Sequence, residues 1–239
     1  MKETHIVADG LTIPITVRSW EEAHGITLCI MALNEENNIA ACIDHHAPYV
    51  SKVLVLDGGS TDDTFKIASK MADSIAIFKF DGHYSNQYNR MAIATKTDWM
   101  LVIDADERLE SHVLSNLGKL TDQEVYDCYA FPRMNYVDGM YDAEHYPDYQ
   151  DRLHRTYCRR IRPVHHELVG YKNKLKLPAV EGNHIIHTKF MARHLSRNSL
   201  YKVFELKGRH EMGGPGSQAS EESFNKTYPT LGLENFKIT

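Results

Sequence analysis

The central apolar run of this chain is Trp99-Met100-Leu101-Val102-Ile103, and it ends in the carboxylates of Asp104-Ala105-Asp106-Glu107. A continuous apolar run with β-branched members predicts a strand that is buried on both faces. Hard cations such as Mg²⁺ and Mn²⁺ take oxygen ligands, commonly one or two carboxylates together with substrate phosphates. An acidic pair at a strand tip can also be a solvated loop. The two aspartates, one residue apart, predict a divalent-cation site beside a diphosphate.

Three shorter apolar runs precede this strand and alternate with helix signals. The runs span residues 26–33, 53–56 and 75–78, and the helices are predicted over 34–45, 60–72 and 85–95. Asn34 and Ser60 are the expected N-caps of the first two helices. A β-α-β-α-β-α-β order with right-handed crossovers predicts an α/β fold, in which a mostly parallel, Rossmann-like sheet is flanked by helices.

Polar clusters directly follow three of these strands. They are residues 34–35, 57–60 and 104–107. In open parallel sheets, ligands bind beyond the carboxyl ends of the strands. We therefore expect one edge of the sheet to collect the three clusters and to form the binding site.

The composition is that of a folded globular protein. The chain has 239 residues, of which 42% are hydrophobic and 25% charged. No apolar run approaches the ~20 residues of a membrane helix, and the first residues lack the apolar core of a signal peptide. The four cysteines form no Cys-x-x-Cys pair, which argues against structural zinc or a disulfide framework and suggests a cytoplasmic protein. The net charge of −5 disfavours nucleic acid as a partner.

The second half of the chain has weaker patterns. We expect a strand over 126–136, irregular structure over 138–168, a helix over 192–209 and a Gly/Ser/Pro-rich loop over 212–220. A local basic run is either a solvated face or a site for a phosphate of the donor or of an anionic acceptor. Its members are Arg152, His154, Arg155, Arg159, Arg160 and Arg162.

Several segments resemble a known family of enzymes. Residues 26–35, 53–64 and 98–107 resemble the nucleotide-sugar half of glycosyltransferase family 2, which has the GT-A fold. Three later motifs resemble a subgroup that includes bacterial lipopolysaccharide-core β-glucosyltransferases. They are Tyr146-Pro147-Asp148-Tyr149-Gln150-Asp151-Arg152-Leu153, Val164-His165-His166-Glu167 and His184-Ile185-Ile186-His187.

The resemblance implies a role for particular residues. Asp148 is the expected general base, with Glu167 as its competitor, and His187 is the expected third metal ligand beside Asp104 and Asp106. The residues expected to bind the nucleotide sugar are Ala32, Leu33, Asn34, Glu35, Asp57, Ser60, Asn89, Asp104, Ala105 and Asp106. One departure is visible: where relatives commonly have Arg-Asn before the fourth strand, this chain has Tyr88-Asn89.

The domain organisation follows from the same resemblance. We expect an N-terminal arm over 1–25, a single glycosyltransferase domain over 26–210 and a tail over 211–239. Within the domain, 26–125 form the nucleotide-sugar half, and 126–210 form a smaller, irregular acceptor half.

The function implied is inverting, metal-dependent glycosyl transfer. The expected cofactor is Mn²⁺ or Mg²⁺, the expected donor is a UDP-sugar, and the acceptor is a hydroxyl of a glycan or glycolipid such as lipopolysaccharide core. Such an acceptor implies a cytoplasmic enzyme that can associate peripherally with the inner face of the membrane. Transfer to a modified DNA base or to a protein stays open, as does a non-catalytic sugar-nucleotide-binding module. A phosphatase is disfavoured because Glu107-Arg108 follow the second aspartate in place of Gly-Thr.

Overall fold

The computed structural model describes residues 25–162 and 167–189, together with the backbone of residues 3–8 and 11–16. The helix predicted over 192–209 and the loop predicted over 212–220 lie outside the described residues. Near the N-terminus, strands β1 (Glu3–Ala8) and β2 (Leu11–Thr16) pair as an antiparallel hairpin.

The first half of the domain alternates strands and helices as predicted. Its strands are β3 (Ile26–Ala32), β4 (Lys52–Asp57), β5 (Ser74–Ile77) and β6 (Trp99–Asp104). Its helices are α1 (Ile39–His46), which a 3₁₀ turn over Ala47–Tyr49 extends, α2 (Thr64–Met71) and α3 (Tyr84–Ala94).

Short strands dominate the second half. After β7 (Glu107–Leu109) come two short helices, α4 (Ser111–Ser115) and α5 (Leu117–Thr121). The remaining strands are β8 (Cys128–Val137), β9 (Met140–Asp142), β10 (Asp148–Arg155), β11 (Arg159–Ile161), β12 (Glu167–Val169), β13 (Lys174–Lys176) and β14 (Ile185–Lys189).

One ten-stranded sheet joins the two halves. Its order is β5-β4-β3-β6-β10-β8-β14-β7, and β9 and β13 also pair with β8. Strands β3 to β6 are parallel, and β10 enters antiparallel beside β6. Parallel pairings outnumber antiparallel ones in this sheet by five to four. The fold class predicted from the sequence is confirmed.

Both faces of the parallel strands are buried, as their continuous apolar runs predicted. Successive strand residues point to opposite faces, so Leu101 and Ile103 pack in the larger apolar cluster and Met100 and Val102 in the smaller one. Each of these side chains is at most 1% exposed. This rigid double-sided core holds the C-terminal tips of the strands in place. No helix in the described part of the chain is long and apolar enough to cross a membrane.

The predicted helix caps were wrong at two positions. Helix α1 begins at Ile39 and α2 at Thr64, several residues after Asn34 and Ser60. Asn34 has a left-handed φ of 56°, and its Oδ1 accepts the backbone N–H of Thr61 at 2.8 Å. In return, the Asn34 N–H donates to Ser60 Oγ at 2.9 Å. Both side chains thus join two loops instead of capping helices.

The prediction of irregular structure over 138–168 was also wrong. Strands β9, β10, β11 and the start of β12 fall within it. The eight residues of β10 lie in the middle of the sheet, between β6 and β8. Their sequence, Asp148 to Arg155, is polar and charged, so apolar periodicity gave no strand signal. Pairing with β8 over most of its length, and with β6 over its last three residues, makes this segment a strand.

Candidate active site

The three polar clusters meet at one edge of the sheet. In the strand register, Ala32 is opposite Asp57 and Met31 is opposite Asp104. The predicted convergence of the strand ends is therefore observed. The loops after β3 and β4 are further joined by the Asn34–Ser60 contacts and by the Glu35 N–H, which donates to Thr64 Oγ1 at 2.7 Å.

Asp57 occupies a tight turn at the tip of β4. Its Oδ1 accepts the backbone N–H groups of Gly59 and Ser60, both at 2.7 Å. The turn needs glycine at residue 59, which has a φ of 94°. The other oxygen, Oδ2, is buried and has no hydrogen-bond partner. A buried polar atom without a partner is rare in native proteins, so Oδ2 can accept a hydrogen bond from a ligand.

The loop after β3 runs beside this turn. Ala32 is buried and its carbonyl accepts the N–H of Gly58 at 2.8 Å, whereas Leu33 is exposed. Glu35 is buried, and its Oε2 accepts a hydrogen bond from Asn38 Nδ2 at 2.9 Å. This loop thus forms a fixed wall next to Asp57.

Asp104 is held by an arginine that comes from β10. Arg152 Nη2 donates to Asp104 Oδ2 at 2.7 Å and to Glu107 Oε1 at 2.6 Å. Burial alone would raise the pKa of Asp104, but the Arg152 guanidinium beside it holds that pKa well below its usual value. Asp104 is therefore a carboxylate at neutral pH.

Asp106 faces a histidine from β14. His187 Nε2 lies 3.4 Å from Asp106 Oδ2 and has no hydrogen-bond partner, although it is buried. The other ring nitrogen, Nδ1, lies 2.8 Å from Asn135 Oδ1, which accepts its hydrogen. Histidines that bind metals characteristically donate their second ring N–H in this way. The residues that could hold a cation here are thus Asp106 and His187.

The described residues supply part of a metal coordination shell. Within residues 25–162 and 167–189, no group of three or more His, Cys, Asp or Glu side chains is arranged to hold a metal ion. Mg²⁺ and related cations in phosphate-transfer sites use one or two protein groups and complete their shell with substrate oxygens and water. The Asp106–His187 pair fits that kind of site.

Asp148 lies at the start of β10 and is tightly bound. Arg133 donates to its Oδ2 from Nε at 3.0 Å and from Nη2 at 2.5 Å, and Asn135 Nδ2 adds a contact at 3.2 Å. Its Oδ1 accepts one hydrogen bond from Gln150 Nε2 at 2.7 Å. Burial acts to raise the pKa of Asp148, but Arg133 and these hydrogen bonds outweigh it and lower the pKa.

A cavity of about 690 Å³ opens beside Asp148. Asn135, which contacts His187, and Asp148 line the cavity together with Tyr149, Lys176, Lys189 and neighbouring residues. Clefts of this size accommodate small-molecule ligands.

Glu167 is placed elsewhere. It lies in the separate β11–β12 sheet, and its side chain is 55% exposed. Among the described residues its ion pair is with Arg162, at 3.2 Å. Glu167 therefore does not line the cavity.

Two other expected donor-binding residues are engaged in packing. Asn89 is buried, and its side chain binds the backbone of Arg160 through Nδ2 at 2.9 Å and Oδ1 at 2.8 Å. Ala105 packs into the core. The structure gives both residues a structural role. Tyr88, which stands where relatives commonly have arginine, directs its hydroxyl to Asp104 Oδ1 at 3.4 Å.

The basic run does not form one phosphate-binding surface. Arg152 and Arg160 are both buried and already engaged, Arg152 with Asp104 and Arg160 over the ring of Tyr88. Arg155 stacks on Trp99, and Arg159 donates to backbone carbonyls. The residues separate because β10 and β11 send alternate side chains to opposite faces.

Sequence reasoning missed several residues of the site. Arg133, Asn135, Lys176 and Lys189 lie on β8, β13 and β14, and none belongs to a motif. Polar residues within these strands are the only local signal. Their proximity to Asp106 and Asp148 depends on strand pairing between distant segments.

Comparison with known proteins identifies related chains. The family model described as Glycosyl transferase family 2 matches residues 27–194. An uncharacterized glycosyltransferase of Rickettsia conorii is 34% identical over 88 residues, which are 37% of this chain and 31% of that protein. One of Rickettsia typhi is 30% identical over 128 residues, which are 54% of this chain and 38% of that protein. The matched segments thus span less than two fifths of these two relatives.

Among solved structures, the comparison finds glucosyl-3-phosphoglycerate synthase from Mycobacterium tuberculosis in complex with Mn²⁺, uridine diphosphate and glucosyl-3-phosphoglycerate. It is 25% identical, with a TM-score of 0.40, over 49% of this chain and 45% of that one. The family match covers most of the sequence, and the strands and helices of the first half have the order that the apolar runs and helix signals predicted. The chain therefore belongs to glycosyltransferase family 2 and has the GT-A type of α/β fold.

Proposed function

We propose that this protein is an inverting glycosyltransferase that moves a sugar from a nucleotide diphosphate sugar, first of all a UDP-sugar, to an acceptor hydroxyl. The observation that carries the proposal is the approach of His187 Nε2 to Asp106 Oδ2 at the C-terminal edge of the sheet. The unpartnered Oδ2 of Asp57 lies at the same edge. Membership of glycosyltransferase family 2 supports sugar transfer as the reaction class.

On the donor side, each group has a distinct task. Asp57 Oδ2 accepts a hydrogen bond from the nucleotide base, and residues 32–35 border the nucleoside. Asp106 and His187 hold Mn²⁺ or Mg²⁺, and Asn135 orients the His187 ring. When bound, the cation neutralises charge on the departing diphosphate as a Lewis acid. Arg152 fixes the neighbouring Asp104 carboxylate in one orientation.

On the acceptor side, Asp148 is the general base. Asp148 is ionised at neutral pH, and its Oδ1, which accepts one hydrogen bond from Gln150, is the oxygen that takes the proton of the acceptor hydroxyl. The hydroxyl oxygen then forms a bond to the anomeric carbon of the sugar. The bond from that carbon to the diphosphate breaks, and its electron pair leaves with the nucleotide. One displacement of this kind inverts the anomeric centre and needs no covalent intermediate.

The acceptor class follows from the later sequence motifs. The segments over 146–153, 164–167 and 184–187 support a glycan or glycolipid acceptor such as lipopolysaccharide core. An acceptor of that kind brings the enzyme to the cytoplasmic face of a membrane as a peripheral protein.

The first test measures nucleotide binding by thermal unfolding with UDP and MnCl₂. At 100 times Kd, binding stabilises a protein by about 2.7 kcal/mol, which raises Tm by roughly 5 to 10 °C for a chain of this size. We expect Asp106→Asn to remove most of that rise. Asp63→Asn is the matched control, since Asp63 is an exposed carboxylate paired with Lys66. No rise with any nucleoside diphosphate, or a full rise in Asp106→Asn, contradicts the proposal.

The second test separates an enzyme from a non-catalytic binding module. A screen of nucleotide sugars measures nucleotide release with and without Mn²⁺. We expect Asp148→Asn to keep the UDP-induced rise in Tm while losing at least a hundredfold in turnover, the lower range for a general base. Glu167→Gln is the control and should keep its turnover. If Glu167→Gln lost turnover and Asp148→Asn kept it, Glu167 and not Asp148 would be the general base.

A further inference from the structure

The cavity beside Asp148 adjoins the proposed cation site. Asn135 belongs to both, because it lines the cavity and accepts a hydrogen bond from His187. On β14, His187 and Lys189 are two residues apart and therefore share a face of the strand. His187 approaches Asp106 while Lys189 lines the cavity. A molecule in this cavity would therefore contact the proposed base Asp148 and lie beside the proposed cation site.

Two lysines of the cavity have no carboxylate partner among the described residues. Lys176 contacts the ring of Tyr149, with Nζ 5.0 Å from its centroid, and Lys189 forms no ion pair there. Lys174, on the same strand as Lys176, differs because its amine pairs with Asp151 at 2.9 Å. Within the part of the chain that the structure describes, Lys174 therefore has a carboxylate partner, whereas the Lys176 and Lys189 amines form no ion pair.

The acidic residues of the cavity are already occupied. Asp148 is bound by Arg133 at 2.5 Å, and Asp142 faces His145 at 3.0 Å. Asp106, Asp142 and Asp148 attract the Lys189 amine only at longer range, and the Arg133 guanidinium repels it. An anion bound beside this amine would offset the cost of burying its charge.

We propose that this cavity binds the acceptor through an anionic group, a phosphate or a carboxylate, which Lys176 and Lys189 contact. The inference rests on the proposed function, because it takes Asp148 as the base for the same acceptor. Beyond that function, it assigns the acceptor to a chemical class, anionic compounds, and identifies Lys176 and Lys189 as the residues that select it. A neutral sugar of the same size lacks the group that these amines bind.

The test compares three sugars as ligands of the full chain by isothermal titration calorimetry at constant ionic strength. The probes are glucose, glucose 6-phosphate and glucuronate. We expect the two anionic sugars to bind at least tenfold more tightly than glucose. The double variant Lys176→Gln/Lys189→Gln should lose that preference. The double variant Lys96→Gln/Lys172→Gln removes the same two charges from exposed lysines outside the cavity wall, and it should keep the preference.

The outcomes separate this inference from the function on which it rests. Equal binding of the three sugars, no binding of any, or an unchanged preference in the double variant overturns it. The UDP and Mn²⁺ measurement on the same preparation reports on the donor site alone. A normal rise in Tm without anion preference removes only the present inference. Anion preference without that rise overturns the acceptor assignment together with the proposed function.

Discussion

At the residue scale, a chain of alternating charges connects the donor side of the site to the acceptor side. Asp104 pairs with Arg152 at 2.7 Å, Arg152 with Glu107 at 2.6 Å, Glu107 with Arg133 at 2.8 Å and Arg133 with Asp148 at 2.5 Å. Removing a charge from water costs free energy, and several good partners are needed to offset that cost. Glu107 and Arg152 are almost fully buried, and each has two partners of opposite charge.

The stability of this network can be tested by removing one arginine. Arg152→Met leaves the Glu107 carboxylate buried with one partner fewer, and breaking a buried pair in this way typically costs about 3 to 5 kcal/mol. We expect a loss of that size in the free energy of unfolding, measured with urea. Arg162→Met is the matched control, because the Arg162–Glu167 pair is more than half exposed, and it should change stability by less than about 1 kcal/mol. Similar losses in the two variants would contradict the network.

At the element scale, β14 brings His187 and Lys189 to the site, and the turn before it sets where the strand begins. Gly182 has a φ of 94°. Its N–H donates to Glu110 Oε2 at 2.7 Å, and its carbonyl accepts the N–H of Val113 at 3.1 Å. His184 Nδ1 lies 3.0 Å from the same Glu110 oxygen. The turn is therefore fixed against the segment that follows β7.

The cost of replacing Gly182 by alanine can be compared with the cost of the same change at Gly139, which lies between β8 and β9. Gly139 also has a positive φ, of 79°, but a Cβ there would meet nothing within 4 Å, whereas a Cβ at Gly182 would lie 3.0 Å from His112 Cβ. We expect Gly139→Ala to cost about 1 to 2 kcal/mol through backbone strain. Gly182→Ala should cost at least about 1 kcal/mol more, because overpacking adds to the strain. Urea unfolding measures both, and equal losses would show that the contact with His112 relaxes freely.

At the scale of the whole molecule, the fold holds two histidines in their neutral form in different parts of the core. Burial lowers the pKa of His46 from 6.5 to about 4 and that of His154 from 6.5 to about 3. His46 Nδ1 donates to the Cys42 carbonyl at 2.8 Å, and its Nε2 accepts the Leu109 N–H at 3.2 Å. His154 Nδ1 donates to the Arg155 carbonyl at 3.0 Å.

These histidines predict acid sensitivity above the range in which carboxylates titrate. The unfolded chain takes up protons near pH 6.5, while the folded protein resists them. Stability is therefore fully present above pH 6.5 and falls as the pH drops towards the folded pKa values. Between pH 7.5 and 5.0, each histidine should contribute a loss of about 2 kcal/mol. Urea unfolding at the two pH values measures the sum.

Variants assign this loss to the buried rings. His154→Phe removes one titrating group at similar volume, so about half of the pH-dependent loss should disappear. His145→Gln, in which an exposed histidine is replaced, should leave it unchanged. A full loss retained in His154→Phe would mean that this ring does not resist protonation.

The parallel half of the fold and the position of its site could be predicted from the sequence, because the signals there are local. The apolar runs of β3 and β6 are buried on both faces, and Asp57 and Asp104 lie at the strand ends where the pattern places them. The helix starts could not be located in this way. Asn34 and Ser60 have side chains that commonly cap helices, but here each side chain accepts a hydrogen bond from the backbone of the other residue's loop.

What the sequence by itself determined is the alternation of strands and helices in the first half, and with it the edge at which Asp57, Asp104 and Asp106 gather. Periodicity and strand-end chemistry act over a few residues, so they can be recognised locally. Only the tertiary structure decided that the polar β10 enters the sheet beside β6, that Arg152 reaches Asp104, and that Asn135 and His187 meet near Asp106. These contacts join residues 48 and 52 positions apart, and they form because strand pairing satisfies the backbone of a segment whose own side chains carry no strand signal.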